Sequence, residues 1–385
     1  MAAMLKRFRT VFAVAILTVA TYATAVEMRG DHPDTYVVQR GDTLWDIAGR
    51  FLKRPWLWPE IWQANPQIRN PHLIYPGDVL SLAYLDRLGV QPGPRDTAPI
   101  NAVPLSDIEP FLKDLRVVES FDQLPYVVGL EEDHLRGSRG QVVYIRGIPG
   151  ATPGERYAVV RPTVRYTHLD RSGFCCDIMH SDDLDYRGRH TLDFKQYWGN
   201  VVMPDKGNEL LGYELMRVNV GTVTRGEVGG IKASTLLLDE VGREVRIGDR
   251  LIPIDAEPYD LQFFPHPPKQ QMEYGRVRIL AVADMLTTGG PRDVVAISAG
   301  NREGVDNGTV FSIWRVGSNV VDRVLTGPEF DEDLVMYENK VRLPDELAGH
   351  VMVFRTFDKV SYGLVMDSIR PTRVGYELKH PDAPY

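Results

Sequence analysis

From residue 126 onward, short runs of β-branched and aromatic residues alternate with segments rich in Gly, Pro and Asp. Runs of this length and composition predict β-strands, and the residues between them predict tight turns. The 34 Gly and 27 Pro in 385 residues favour a chain of many short strands over a helical one. The clearest runs are residues 126–129, 141–145, 157–160, 218–223, 234–238 and 250–254.

Several of these runs recur later in the same order, which indicates an internal repeat. A Pro-rich segment at residues 264–269 separates the two halves. We therefore predict two mainly β units, residues 126–256 and 273–380, as copies of one small barrel or sandwich. The parallel blocks are residues 140–161 and 293–315, 211–218 and 347–354, and 245–252 and 372–378.

Residues 1–25 have the layout of a secretory signal peptide. Lys6, Arg7 and Arg9 precede an uncharged apolar run at residues 11–20, and the small residues 23–25 follow. This order of basic, apolar and small residues predicts export and cleavage. The alternative is an uncleaved anchor helix, but the apolar stretch is shorter than the ~20 residues that a bilayer span needs.

Removal of the signal would make an acidic chain more acidic. The full sequence has 44 Lys+Arg and 52 Asp+Glu, a net charge of −8, and the signal carries three cations and no acid, so the remainder would carry −11. This balance argues against a nucleic-acid partner. We expect no membrane span after signal removal and a periplasmic or cell-envelope location.

Residues 34–82 predict a compact module of two strands and two helices. Gly41 and Asp42 form a turn, and Thr43 with Asp46 has the spacing of a helix-capping box. The first helix then presents one apolar face, and Pro59 and Pro66 suit the start and end of a second helix. Residues 79–82 close the module as a strand, which gives the order βααβ. The apolar face consists of Leu44, Ile47, Ala48 and Phe51.

These residues resemble a LysM domain, a glycan-binding module of cell-wall proteins. The resemblance rests on residues 36–38, 40–48, 65–66 and 74–78, which occur in the order and spacing of that family. It implies binding of N-acetylglucosamine-containing glycan, here peptidoglycan. The groove that it implies lies between the turn before the first helix and the loop after the second. The implied glycan-binding residues are Gly41, Asp42, Thr43, Leu44, Asn65, Pro66 and Ile74.

Several of these residues also have purely structural interpretations. Asp42 and Thr43 suit helix capping, and Asn65 suits the end of the second helix. Trp56, Trp58 and Trp62 resemble a surface on which sugars stack, but the helical period directs Trp62 toward the core.

The segment 83–125 predicts a proline-containing linker with one short amphipathic helix that begins near Ser106. With the βααβ module and two β units, the predicted fold class is α+β. The layout is similar to that of LysM-containing envelope proteins of Gram-negative bacteria.

Candidate catalytic and metal-binding residues are few. His168, Cys175, Cys176, Asp177 and His180 lie close in sequence, but adjacent cysteines make poor joint ligands, and the nine His form no zinc motif. The acidic runs at 131–133 and 182–185 predict solvated faces. We therefore predict no cofactor, no metal site and no enzyme activity.

The sequence predicts an exported, non-catalytic peptidoglycan-binding protein that tethers its β units to the cell wall. Two alternatives remain open. One is a LysM-anchored wall hydrolase with an unrecognised site. The other is an envelope assembly factor for a pilus, secretion or flagellar machine, which would add an envelope protein as a partner.

Overall fold

A computed structural model describes two compact units, residues 1–100 and residues 101–385. The predicted signal peptide at 1–25, Cys175 and Cys176 lie outside the described residues. Those residues are 28–29, 32–69, 71, 74–82, 105–169, 178–179, 183–189, 198–202, 208–254, 264–270, 272–283, 290–326 and 340–383.

The first unit has the predicted βααβ order. Its elements are β1 Thr35–Val37, α1 Leu44–Phe51, a 3-10 turn Pro55–Leu57, α2 Trp58–Gln63 and β2 Val79–Ser81. The two strands are antiparallel, with Val37 opposite Val79 and Thr35 opposite Ser81.

The first helix begins where the capping box predicts. The Thr43 hydroxyl accepts from the Asp46 amide at 3.0 Å, and the Asp46 carboxylate accepts from the Thr43 amide at 3.1 Å. These bonds satisfy amides at a helix start that have no partner within the helix. The apolar face of α1 is buried through Leu44, Ile47 and Ala48.

The second unit is mostly β. Its described residues form two helices, α3 Leu105–Lys113 and α4 Arg323–Thr326, and 3-10 turns at Glu131–Asp133 and Asn301–Glu303. Its strands are β3 Leu115–Val118, β4 Tyr126–Leu130, β5 Val142–Arg146, β6 Arg156–Thr167, β7 Ile178–Met179, β8 Trp198–Val202, β9 Leu210–Arg225, β10 Ser234–Leu238, β11 Arg250–Pro253, β12 Ile279–Ala283, β13 Val294–Ile297, β14 Val310–Arg315, β15 Asn319–Val321, β16 Lys340–Arg342, β17 Glu346–Thr356, β18 Ser361–Ser368 and β19 Glu377–Lys379.

Six strands of the first large sheet pair in a closed ring, which we call the first ring. Its order is β4, β5, β10, β9, β6 and β11, and β11 pairs again with β4. The core of the first ring includes Val127, Val159 and Leu251, each 0 % exposed.

The second large sheet contains a ring in the same chain order. The second ring runs β12, β13, β18, β17, β14 and β19. An antiparallel bridge between Arg278 and Glu377 and a bond from the Leu378 amide to the Val277 carbonyl at 2.8 Å join its last and first strands. Ile279 and Ile313 are fully buried in it.

Strands outside the rings cross the predicted domain boundaries. β3 lies in the predicted linker but pairs with β9 of the first ring. β7 and β8 lie within the predicted first β unit, yet β8 pairs with β12 of the second ring. The connection between β6 and β9 therefore contributes strands to the other sheet.

A fully buried carboxylate connects the two rings. Glu214 in β9 accepts hydrogen bonds from Thr163 Oγ1 and Tyr166 OH at 2.9 Å, and from Trp198 Nε1 and Tyr362 OH at 2.7 Å. Tyr362 belongs to the second ring and Trp198 to β8. Burial raises the pKa of Glu214, and the four donors oppose that rise.

The helix α3 docks through its C-terminal end on the second ring. The Arg355 guanidinium lies 2.6 Å from each of the Phe111, Leu112 and Leu115 carbonyls. A cation suits the Phe111 and Leu112 carbonyls because they lie in the last turn of the helix, at its negative pole. Phe111 also packs on Trp198, with ring centroids 5.2 Å apart.

Candidate functional site

The predicted glycan-binding residue Asp42 is buried and engaged within the first unit. Its carboxylate accepts from Tyr36 OH at 2.7 Å and the Gln39 amide at 2.8 Å, and it forms an ion pair with Arg50 at 2.8 Å. Burial lowers the pKa of Arg50, but Asp42 outweighs it and the pKa rises. Asp42 therefore holds the turn before α1 against β1 and the helix.

Sequence reasoning did not identify Tyr36 and Arg50 as partners of Asp42. They lie six residues before and eight residues after it. Asp42 lies in the turn between β1 and α1, so neither pair falls within one element whose period would predict the contact.

Asn65 is also a structural residue. It is 0 % exposed, and its amide donates to the Ile61 carbonyl at 2.7 Å and the Ser81 carbonyl at 2.9 Å. Its side-chain oxygen accepts from the Ser81 amide at 2.8 Å. Asn65 thus ties the end of α2 to β2.

Only two of the seven predicted residues are exposed. Gly41 has φ of +95°, and a Cβ built on it would meet nothing within 4 Å, so it borders open space. Pro66 is exposed after α2. The other side chains are buried: Thr43 caps α1, and Leu44 and Ile74 are 0 % and 1 % exposed.

Within the second predicted wall, Asn65 lies toward the end of the short sheet away from the Gly41 turn, whereas Ile74 precedes the start of β2. The Gly41 turn adjoins the β2 start, because the Gly77 amide donates to the Val38 carbonyl at 2.8 Å. Asn65 lies at Ser81, the other end of β2. Two residues of strand separate these ends, which is about 7 Å.

The tryptophans are distributed differently from the sequence interpretation. Trp56 and Trp58 are 5 % and 2 % exposed, whereas Trp62, predicted to point inward, is half-buried. The 3-10 turn before α2 places Trp56 in the core. Trp62 donates through Nε1 to the Ile68 carbonyl at 2.6 Å. Trp45 is buried, and its indole N–H has no hydrogen-bond partner among the described residues.

The second unit contains one arrangement that resembles a catalytic triad in composition. His350 lies 2.9 Å from Asp367, and Ser312 is opposite His350 in the pairing of β14 with β17. However, the Ser312 hydroxyl donates to the His380 carbonyl at 2.8 Å and accepts from Trp314 Nε1 at 2.9 Å. The Ser312 hydroxyl is therefore hydrogen-bonded to His380 and Trp314 and not to His350, as a nucleophile of a triad would be.

The acidic run at 182–185 was predicted to be solvated, and this is wrong for Asp183. Asp183 is 0 % exposed and pairs with Arg161 at 3.0 Å and Arg243 at 2.8 Å. Among the described residues, no group of three or more His, Cys, Asp or Glu could hold a metal ion. No helix in the described ranges is long and apolar enough to cross a membrane.

Comparison with known proteins identifies the first unit. Residues 36–83 match the LysM domain family. A protein of Bacillus subtilis (strain 168) described as "Uncharacterized protein YqbP" is 42 % identical over 60 residues, which cover 13 % of this chain. The match spans about a quarter of that curated relative, 27 % of its length.

Proposed function

From the LysM domain at residues 36–83, we propose that this chain is an exported, non-catalytic protein that binds peptidoglycan. The family match carries the proposal, since LysM domains bind N-acetylglucosamine-containing glycans. In this proposal the signal peptide at 1–25 directs the chain to the periplasm, and the domain tethers residues 105–383 to the wall.

The geometry supports a contact made by the backbone and small surfaces. The side-chain polar atoms of Asp42, Thr43 and Asn65 form hydrogen bonds within the domain. Leu44 and Ile74 belong to its core. Exposed Gly41 leaves peptide groups open to a neutral sugar. A neutral glycan needs such donors and acceptors rather than charge.

The two rings support a duplication of one β-barrel unit. In each ring the first strand pairs with the second and the sixth, and the third pairs with the fourth and the sixth. The tether would bring both barrels to the wall and raise their local concentration there.

Retention on purified, protein-free sacculi tests the proposal with the chain from residue 26. Gly41→Asn adds a side chain in the open space by the turn, and Asn tolerates positive φ better than most residues. We expect Gly41→Asn to reduce retention while the near-ultraviolet circular dichroism stays unchanged. Lys53→Gln, beyond the other end of α1, is the matched control.

Asn65→Ala is the reference for loss of retention that follows from loss of the fold. It removes the hydrogen bonds that the buried Asn65 side chain makes to Ile61 and Ser81, so we expect loss of the domain fold together with retention. Absence of retention for the unsubstituted chain would refute peptidoglycan binding, and full retention of Gly41→Asn would refute a contact at this turn. A clearing band in a sacculus zymogram would contradict the non-catalytic assignment.

A further inference from the structure

The first ring contains a buried arginine that makes no ion pair among the described residues. Arg250 in β11 is 8 % exposed, and its Nε has no hydrogen-bond partner in the described part of the chain. Its other nitrogens lie 3.4 Å from the Leu124 carbonyl and 3.5 Å from the Tyr186 carbonyl, at the outer limit for hydrogen bonds. Within the described part of the chain it makes no ion pair.

Aromatic rings hold this guanidinium in place. Its central carbon lies 5.3 Å from the Phe121 ring centroid and 5.6 Å from that of Tyr126. Such contacts attract the cation without using its N–H donors. Burial lowers the pKa of Arg250, and the nearby Asp122 charge opposes this only in part.

A second arginine lies in line with Arg250. Tyr126 in β4 is directly opposite Arg250 on one side and Arg146 on the other. Directly opposite residues share a face of the sheet, so the three side chains form a row, the arginine row. Two strand spacings place the backbones of the two arginines about 10 Å apart. Arg146 is exposed and makes no ion pair among the described residues.

The turn over Arg250 adds a third cation. Tyr186, whose carbonyl contacts Arg250, carries the Arg187 guanidinium over its ring at 5.2 Å. Asp185 fixes the turn by accepting from the Arg187 amide at 2.8 Å and the Arg189 amide at 2.9 Å. Cations without ion pairs are thus concentrated here on a chain whose net charge is −8.

Another buried arginine of this unit, Arg161, shows the difference. Arg161, 3 % exposed, pairs with Asp249 at 2.8 Å and Asp183 at 3.0 Å. An unpaired buried guanidinium costs free energy, and an incoming anion would recover part of it.

We propose that the arginine row is a binding site for a carboxylate, such as the terminal carboxylate of a peptide. The planar guanidinium fork matches a carboxylate, and Tyr126 offers a flat apolar surface beside it. This site is independent of the LysM domain.

Isothermal titration of the full chain with an N-acetylated dipeptide tests the proposal. The probe is used with a free C-terminal carboxylate and, as its matched control, with a C-terminal amide. We expect the acid to bind at least about tenfold more tightly than the amide, because hydrogen bonds between charged partners are the stronger ones. Equal affinities, or no binding by the acid, would overturn the proposal.

Three variants locate the site. Arg250→Gln should weaken acid binding about tenfold or more, and exposed Arg146→Gln, which does not threaten the fold, about threefold. Exposed Arg225→Gln, at the end of β9, should leave it unchanged. Equal effects of Arg146→Gln and Arg225→Gln would place the ligand elsewhere. Inorganic phosphate that binds more tightly than the acid would overturn the carboxylate class.

Discussion

The two rings share one order of strand pairing but differ in the residues at the joint between their last and first strands. In the first ring Arg250 faces Tyr126, whereas in the second Glu377 faces Arg278. Glu377 is 1 % exposed and accepts from the Gly275 amide, so the preceding segment covers it. One joint contains an acid with a base, and the other a base with an aromatic ring.

The inner positions explain why the strand order tolerates this difference. Val127 and Leu251 in the first ring correspond to Ile279 and Leu378 in the second, and all are at most 4 % exposed. Apolar packing inside each ring therefore maintains the architecture. The outer positions are left to carry different chemistry, and function should be sought there.

The largest effect is expected from the ion network of the first ring. Asp183→Ala would leave Arg161 and Arg243 without one acidic partner in a buried site. We expect the free energy of unfolding to fall by about 3–5 kcal/mol. Urea unfolding followed by circular dichroism measures it.

Asp185→Ala is the control, since its side chain is partly exposed and serves only the adjacent turn. It should cost about 1 kcal/mol. Similar losses for both variants would show that Asp183 has no special role in the first ring.

A smaller effect, shared by both rings, is expected for Glu214→Gln. The amide keeps the volume but loses the charge, and its NH2 faces groups that also donate. We expect a loss of about 2 kcal/mol. Hydrogen exchange should show reduced amide protection around Tyr166 in one ring and Tyr362 in the other.

Glu227→Gln, at an exposed position just beyond the end of β9, is the matched control for Glu214→Gln. Reduced protection in one ring alone would mean that the carboxylate does not couple them.

The smallest effect is pH-dependent and confined to the second ring. Asp345 accepts from the Gly317 amide and Arg342 at 3.0 Å and from Lys379 at 2.9 Å. Burial raises the pKa of Asp345, but the Gly317 amide, Tyr274 and Lys379 outweigh it and hold the pKa well below 3.8. Its stabilisation is therefore present above about pH 4 and is lost as the pH falls toward 2.

Asp345→Asn should lower the melting temperature at pH 6 by a few degrees, corresponding to about 1 kcal/mol. The difference from the unsubstituted chain should shrink as the pH approaches 2. A difference that stays constant from pH 6 to pH 2 would contradict the assigned role of Asp345.

Sequence reasoning succeeded where the determining contacts are local. The Thr43–Asp46 box and the Pro59 start fixed the helices of the LysM domain within a residue or two. The helix at Leu105–Lys113 was also expected from its capping pattern and apolar spacing. Such signals lie within one helical turn.

Pairing between distant strands was less accessible to sequence reasoning. The sequence comparison aligned residues 211–218 with 347–354. In the structure Asn219 is opposite Val159 in the third strand of the first ring, and Gly349 is opposite Ile313 in the third strand of the second ring. By strand pairing, Asn219 is therefore the counterpart of Gly349. Apolar alternation repeats every two residues, so it does not fix the register. It also does not show which sheet β3 or β8 joins.

The site was predicted only in outline. Spacing identified the residues of the LysM motif, but it did not show that Asp42 and Asn65 are buried under their own hydrogen bonds. Arg250 lies in a predicted strand, yet the sequence gives no sign that its acid partner is missing. Such a deficit becomes visible only when every neighbour is placed.

Because β8 is synthesised long before β12, the first ring leaves the ribosome together with a strand that lacks one neighbour. β8 can pair with β7 as soon as both are synthesised, but its other edge has no partner until Ala281 and Val282 of β12 are made. Open strand edges pair readily with other chains. A nascent chain that stops before residue 279 therefore exposes one unpaired edge of β8, which can associate with other chains until the first strand of the second ring is made.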